Sequence, residues 1–264
     1  MIGPAPAKIN LALVVGPMRD DGKHEVATVY QRLDLGDRVT VEPAQRTTVD
    51  GFADTIVTRA LAELPGAWHA RIEKKTPVAA GLGGGSSDAA TALRLANAQL
   101  SEPLDAGALH DLAARVGADV PFFLRDGPQL GTGDGTRLEP LELPQDFAVL
   151  LLVPHGEAKP STKAVYEAFD ARNGAEGYDV RLAQLRASLG SVRRPRDLAA
   201  LPLNDLASSP HAHALLEAGA FRADVTGAGP TVYGCFHRTA DAERAEHAVR
   251  RLGRTFVTVP AWYG

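Results

Sequence analysis

Hydrophobic and polar positions alternate from Ala7 to Val15, which places Ile9, Leu11, Leu13 and Val15 on one face and Lys8, Asn10 and Ala12 on the other. The pattern predicts a strand carrying two polar side chains side by side on its non-core face. A loop follows over residues 16–23, with Pro17 and Gly22 as breakers. Residues 26–35 and 38–42 read as two more strands, and the short Gly36-Asp37 link predicts a hairpin between them. Asp54 is placed to cap a helix whose apolar stripe is Ile56, Val57, Ala60, Leu61 and Leu64. Residues 69–75 alternate again. Helical spacing then appears twice, first as Ala89, Leu93, Ala96 and Leu100. After Asp105 it returns as Leu109, Leu112, Ala113 and Val116, with Gly117 as its stop.

The second half has a different rhythm. Residues 148–153 form a continuous apolar strand bounded by Pro154. Helices are expected from near Ser161 and after Pro210. A strand over 223–226, a glycine turn over 227–230 and a strand over 231–236 follow. A helix over 240–252 and a strand over 255–259 close the pattern. This is the split βαβ order of a ferredoxin-like domain. A boundary near Leu143-Pro144-Gln145 divides the chain into residues 1–145 and 146–264, and the expected class is α+β.

Composition narrows the function. The 264 residues are 45% hydrophobic, enough for two modest cores. A net charge of -4 argues against a general binder of nucleic acid or anionic membrane. The single cysteine, Cys235, excludes an internal disulfide or a thiolate metal cluster. No apolar run reaches the ~18 residues of a membrane span, and the N-terminus lacks a leader pattern, so a cytoplasmic protein is expected. The basic run Arg193-Arg194-Pro195-Arg196 reads as a solvated loop, and His211 and His213 as surface residues.

The chemistry concentrates in Gly81-Leu82-Gly83-Gly84-Gly85-Ser86-Ser87, directly before a helix. Glycines let backbone N–H groups approach a ligand closely, and a helix N-terminus adds partial positive charge, which together suit phosphate. Ser86 and Ser87 can cap the helix or offer hydroxyls to phosphate or Mg²⁺. No lysine follows the glycines, so this is not a P-loop, and Ser86 stands where a dinucleotide fingerprint needs its last glycine. Taken singly, each feature keeps a plain reading. The loop can be a flexible turn, Lys8 a solvated strand residue, Asp119 a helix cap before Pro121, and His24 a loop histidine.

Pro77 to Ala90, PVAAGLGGGSSDAA, resembles the second conserved motif of the GHMP kinases. Its extra glycine and the Asp after the serines are most similar to the branch acting on 4-diphosphocytidyl-2-C-methyl-D-erythritol. Pro6 to Leu11 resembles that branch's N-terminal signature, and Gly117 to Phe122 its catalytic-aspartate segment. Thr226 to Thr231 resembles the third GHMP motif, with Thr226 where Ser is more usual. Asp20, Gly22 and His24 fit as well, so the likeness runs the length of the chain.

The resemblance implies a ribosomal-protein-S5-like N-terminal domain joined to a ferredoxin-like one, with ATP and acceptor in the cleft between. It implies that Pro77, Gly81, Leu82, Gly83, Gly84, Gly85, Ser86 and Ser87 hold ATP. No Mg²⁺ ligand is assigned beyond Ser86 or Ser87. Asp119 is implied as the base toward the acceptor's 2-hydroxyl, with Lys8 favouring its charged form and stabilising phosphoryl charge. Asn10, His24, Thr162, Tyr166, Gly227 and Gly229 are implied substrate contacts, His24 reading the cytosine edge. Thr55 and Ile56 lie where the branch places adenine. One departure is Lys23, where an aromatic residue is common, so Tyr166 is expected to stack on the base alone. The implied reaction is a step toward isoprenoid precursors. Small molecules are the expected partners, without nucleic acid or membrane, for a monomer or homodimer. A mevalonate-, homoserine- or sugar-type acceptor and a non-catalytic nucleotide sensor stay as alternatives. Having both Lys8 and Asp119 weighs against the sensor.

Overall fold

The computed structural model describes residues 1–52, 55–156 and 161–261; Asp54, the expected helix cap, lies outside them. Strands β1 (Ile2–Met18) and β2 (His24–Pro43) form a long antiparallel ribbon. The predicted hairpin at Gly36-Asp37 does not form. Residues 26–35 and 38–42 continue as one strand because both pair with β1, Val26 opposite Val15 and Thr40 opposite Ile2. Gly36 serves close approach instead of a turn: a Cβ there would lie 2.7 Å from the Ala5 carbonyl oxygen, beside a register shift between Pro6 and Lys8.

A second register shift, between Asn10 and Ala12, overturns the expected alternation. Ala7, Ile9 and Leu11 share a core cluster with Ala12 and Val14, whereas Leu13 and Val15 join another with Val26 and Phe169. One extra residue in a strand reverses the phase of everything after it. Leu13 therefore faces the same cleft as Lys8 and Asn10.

The chain continues through β3 (Thr48–Asp50), α1 (Thr55–Ala62) and β4 (Trp68–Glu73). Helix α2 (Gly84–Asn97) buries Ala89, Ala90, Ala92 and Ala96, small side chains that let it lie close on β1 and β2. Asp105 caps α3 (Ala106–Val116), accepting from the Ala108 N–H at 2.8 Å, and Gly117 ends it as expected. A short 3₁₀ turn over Pro121–Leu124 leads to β5 (Gln129–Gly133) and β6 (Arg137–Pro140), two strands that hydrophobic spacing did not reveal. Along one edge β2 pairs with β1; along the other it pairs first with β5 and then with β4.

The second sheet contains β7 (Ala148–Pro154), β8 (Arg222–Val225), β9 (Val232–Phe236) and β10 (Gly253–Thr258), in the order β10-β7-β9-β8 and antiparallel throughout. Helices α4 (Thr162–Ala171), α5 (Tyr178–Ser191), α6 (Pro210–Glu217) and α7 (Thr239–Val249) complete the ferredoxin-like half. Helix α5 was not expected; Leu182, Leu185 and Leu189 seat it in the core beneath β1. That same cluster joins Ile9 and Leu11 to Val149, Leu151, Tyr233 and Cys235, so one core ties both sheets together. Arg193, Arg194 and Arg196 are exposed, as is His213, which pairs with Glu217 at 3.3 Å.

Candidate active site

A cleft of about 930 Å³ opens where β1, β2, the start of α2 and α4 converge. Its floor is made by two glycine segments from different halves of the chain. Gly81 has φ +79°, and a Cβ there would lie 2.7 Å from the Thr226 carbonyl oxygen and 3.0 Å from that of Gly229. Only a residue without a side chain lets these backbones pass. Gly83, at φ +69°, is the N-cap of α2 and receives no side-chain cap, so the serines do not cap the helix. Gly84, Gly85 and Ser86 instead occupy its first turn and line the cleft, where backbone N–H groups lack helical partners. Ser87 is fully buried, off the cleft wall, and its hydroxyl has no partner among the described residues.

Lys8 is only 3% exposed. Its Nζ lies 2.7 Å from Asn10 Oδ1 and 3.5 Å from Asp119 Oδ2. Its backbone N–H donates to the Leu82 carbonyl at 2.9 Å, tying β1 to the glycine loop. Asn10 donates from Nδ2 to Thr28 Oγ1 at 2.7 Å, and its backbone N–H donates to Thr226 Oγ1 at 3.1 Å. The hydroxyl that the third motif keeps in place of serine thus locks that motif to β1. Asp119 caps nothing, because Val120 occupies the N-cap of the 3₁₀ turn. A buried ammonium beside a cleft-facing carboxylate is an arrangement suited to moving a hydroxyl proton and offsetting phosphoryl charge.

Further along the cleft, the His24 ring stacks on Tyr166 (centroids 4.8 Å apart) and meets Phe169 edge-on, while its Nε2 contacts Asp170 Oδ1 at 2.8 Å. Burial, and then the charge of Asp119, push the Tyr166 phenol up to about 12. Thr162, Gly227 and Ala228 also line the cleft; Gly229 does not, but passes beneath Gly81. Lys23 lies over no ring among the described residues. Its Nζ meets Asp134 Oδ2 at 2.6 Å across the cleft mouth. Burial acts to raise the Asp134 carboxyl, but hydrogen bonds from Lys23 and Thr136 outweigh it and hold it down at about 2. Pro77, Ile56 and Phe52 line the opposite wall, and Thr55 does not reach it.

Two functional side chains escaped the sequence reading. Tyr30 donates to Asp119 Oδ1 at 3.0 Å. Lys74 stands beside Gly84 on the cleft wall, its Nζ 2.8 Å from Asp37 Oδ2 and 2.6 Å from Asp88 Oδ2. Burial pushes the Asp88 carboxyl up to about 7, although Lys74 opposes the rise. No cluster of three or more His, Cys, Asp or Glu side chains suited to a metal exists among the described residues. Ser86, in the first turn of α2 and lining the cleft, carries a hydroxyl that can assist a cation brought by a phosphate ligand.

Comparison with known proteins bears directly on this geometry. The family model for the GHMP kinases N terminal domain matches residues 49–127, and that for GHMP kinases C terminal matches residues 212–255. The 4-diphosphocytidyl-2-C-methyl-D-erythritol kinase of Anaeromyxobacter dehalogenans is 40% identical, over 93% of this chain and 84% of its own. A crystal structure of 4-(cytidine 5'-diphospho)-2C-methyl-D-erythritol kinase superposes with a TM-score of 0.78 at 30% identity, covering 99% of this chain and 100% of the other. The mevalonate kinase of Methanococcus jannaschii shares the fold alone, at a TM-score of 0.73 and 13% identity, covering 99% of this chain and 98% of its own. Shared architecture at that identity leaves the acceptor open, whereas the two closer likenesses agree on one branch. The chain belongs to the GHMP kinases and, within them, to the 4-diphosphocytidyl-2-C-methyl-D-erythritol kinase family.

Proposed function

We infer that this enzyme transfers the γ-phosphoryl group of ATP to the 2-hydroxyl of 4-diphosphocytidyl-2-C-methyl-D-erythritol, a step toward isoprenoid precursors. The observation that carries the mechanism is the Lys8–Asp119 pair, 3.5 Å apart, in the cleft that also receives the start of α2. Asp119 accepts the acceptor's hydroxyl proton as its oxygen bonds to the γ-phosphorus. The bond from that phosphorus to the β,γ-bridging oxygen breaks, and ADP leaves. Lys8 offsets the negative charge on the transferring group, and the amides of residues 83–86 cradle the phosphates. Mg²⁺, which we expect to arrive with ATP and to be assisted by Ser86, supplies further charge neutralisation. His24, oriented by Asp170, and Tyr166 offer a polar edge and a ring face to the cytosine, with Thr162, Asn10 and Gly227 as neighbouring contacts.

We keep the domain division between residues 145 and 146. We expect a cytoplasmic monomer or homodimer acting on small molecules, a reading supported by the net charge of -4 and by the lack of any described helix long and apolar enough to cross a membrane. A coupled ADP-release assay, run with the cytidine diphospho-methylerythritol acceptor beside mevalonate and homoserine, tests the acceptor assignment; preference for either of the latter would overturn it. Asp119→Asn should keep ATP binding and lose roughly 10²–10⁴ in kcat, the usual worth of a general base. Normal turnover in that variant would remove the role.

A further inference from the structure

We propose that Tyr30 is a positioning residue for the base: its hydroxyl holds one oxygen of Asp119 so that the other faces Lys8 and the acceptor. The proposal rests on the reading of Asp119 as the base. The two contacts fall on different oxygens of one carboxylate, Tyr30 on Oδ1 at 3.0 Å and Lys8 on Oδ2 at 3.5 Å. A carboxylate free to turn presents either oxygen in many directions, whereas one oxygen already hydrogen-bonded leaves a single basic site in a fixed direction.

The tyrosine is itself fixed. Its ring stacks on Phe122, centroids 4.7 Å apart and planes 24° from parallel. Lys8 Nζ lies 5.7 Å from the ring centroid, and two glycines leave the ring its room: a Cβ on Gly131 would lie 2.6 Å from Tyr30 Cε2, and one on Gly135 would lie 2.9 Å from the hydroxyl oxygen. The run Gly131-Thr132-Gly133-Asp134-Gly135 lies against this ring. Two of its glycines leave a slot that the ring fills. Burial, and then the charge of Asp119, raise the Tyr30 phenol well above its ordinary value, so it remains a donor at any working pH.

Tyr30→Phe keeps the ring and deletes only the hydroxyl, so a packing role predicts native kinetics. Positioning predicts a kcat about tenfold lower with little change in either KM, the scale of one hydrogen bond to a charged group. It also predicts that the acidic limb of kcat against pH moves upward, since the charged carboxylate has lost a donor. In an Asp119→Asn background Tyr30→Phe should add nothing, because the oxygen it orients no longer acts as a base. Gly131→Ala, whose Cβ would press on the ring edge and on the Gly135 carbonyl oxygen 2.9 Å away, should reproduce the fall in kcat with KM for ATP unmoved, and it carries the test if Tyr30→Phe folds poorly. A kcat within about twofold of native with an unmoved acidic limb, or a further roughly tenfold loss in the double variant, overturns the inference. Native turnover in Asp119→Asn alone sinks the base assignment instead, which separates the two failures.

Discussion

Replacing Asp88 with Asn should flatten the dependence of folding stability on pH between about 4 and 7. Asp88 is fully buried on the first turns of α2, against Lys74 at 2.6 Å, with Asp37 sharing the same ammonium at 2.8 Å. Burial raises its carboxyl from 3.8 to about 7, Lys74 works against the rise, and Asp37 adds to it. The folded protein therefore holds this proton at pH values where the unfolded chain has released it. Stability is greatest while Asp88 is protonated, and it falls as pH climbs through that window. At about 1.36 kcal/mol for each pH unit of difference, the ceiling is roughly 4 kcal/mol. The pull of Lys74 is already contained in the value of about 7, and over the part of this range from pH 5 to 7 we expect a loss of about 2 kcal/mol. Asparagine keeps an acceptor oxygen for Lys74 but no titrating proton. Urea unfolding of both proteins, repeated from about pH 5 to 7, gives the answer as a difference. Carboxyls held low in the native state, such as Asp21, Asp134, Asp197 and Asp241, lose their stabilisation at more acidic pH and cancel in that difference. Parallel curves for the two proteins would refute the reasoning.

Gly83→Val should damage catalysis as well as ATP binding, because its Cβ would press on Lys8 Cγ at 2.9 Å and on Phe123 at 3.0 Å at a left-handed φ. We expect calorimetry to show weakened ATP affinity and kcat to drop at least about tenfold, on the scale of a few kcal/mol for overpacking. Tyr166→Ala should raise the acceptor KM about tenfold or more, the worth of a stacked base, with KM for ATP unchanged in steady-state kinetics. Lys23→Ala should shift unfolding free energy by less than about 1 kcal/mol, since the Lys23 side chain in the Asp134 pair is 53% exposed. Lys23→Tyr should leave the acceptor KM at or below its native value; a clear rise would show that the lysine itself holds the acceptor.

Much of this site was legible in the chain because glycine clusters and polar residues on an apolar strand are conspicuous. Lys8, Asn10, Asp119 and the start of α2 meet in one cleft, as their motifs imply. What stayed hidden depended on partners distant in sequence. Tyr30 reads as an aromatic residue on a strand until Asp119 is folded against it, and Lys74 as a charge near the end of an alternating segment until Asp37 and Asp88 close on it. Gly36-Asp37 has the composition of a turn, yet Gly36 is needed for backbone approach to Ala5, and Asp37 accepts from Lys74 and from the Thr76 N–H. Strand β5 escaped notice because Gly131 and Gly133 interrupt its alternation. Helix α5 did so because arginine, serine and glycine dilute its leucine stripe.

The register shift between Asn10 and Ala12 divides β1 into two lengths whose alignments are set separately. Upstream, Lys8 and Asn10 are fixed by Leu82, Thr28 and Thr226. Downstream, Leu13 and Val15 pack with Val26 and Phe169 under the His24 ring. Loss of the one extra residue at the shift would leave the lysine aimed as before and keep Leu13 and Val15 opposite Thr28 and Val26, now in unbroken alternation with Asn10. The strand can therefore change length at this one point among descendants of this chain while the lysine that serves phosphoryl chemistry and the apolar support of the acceptor end both keep their faces.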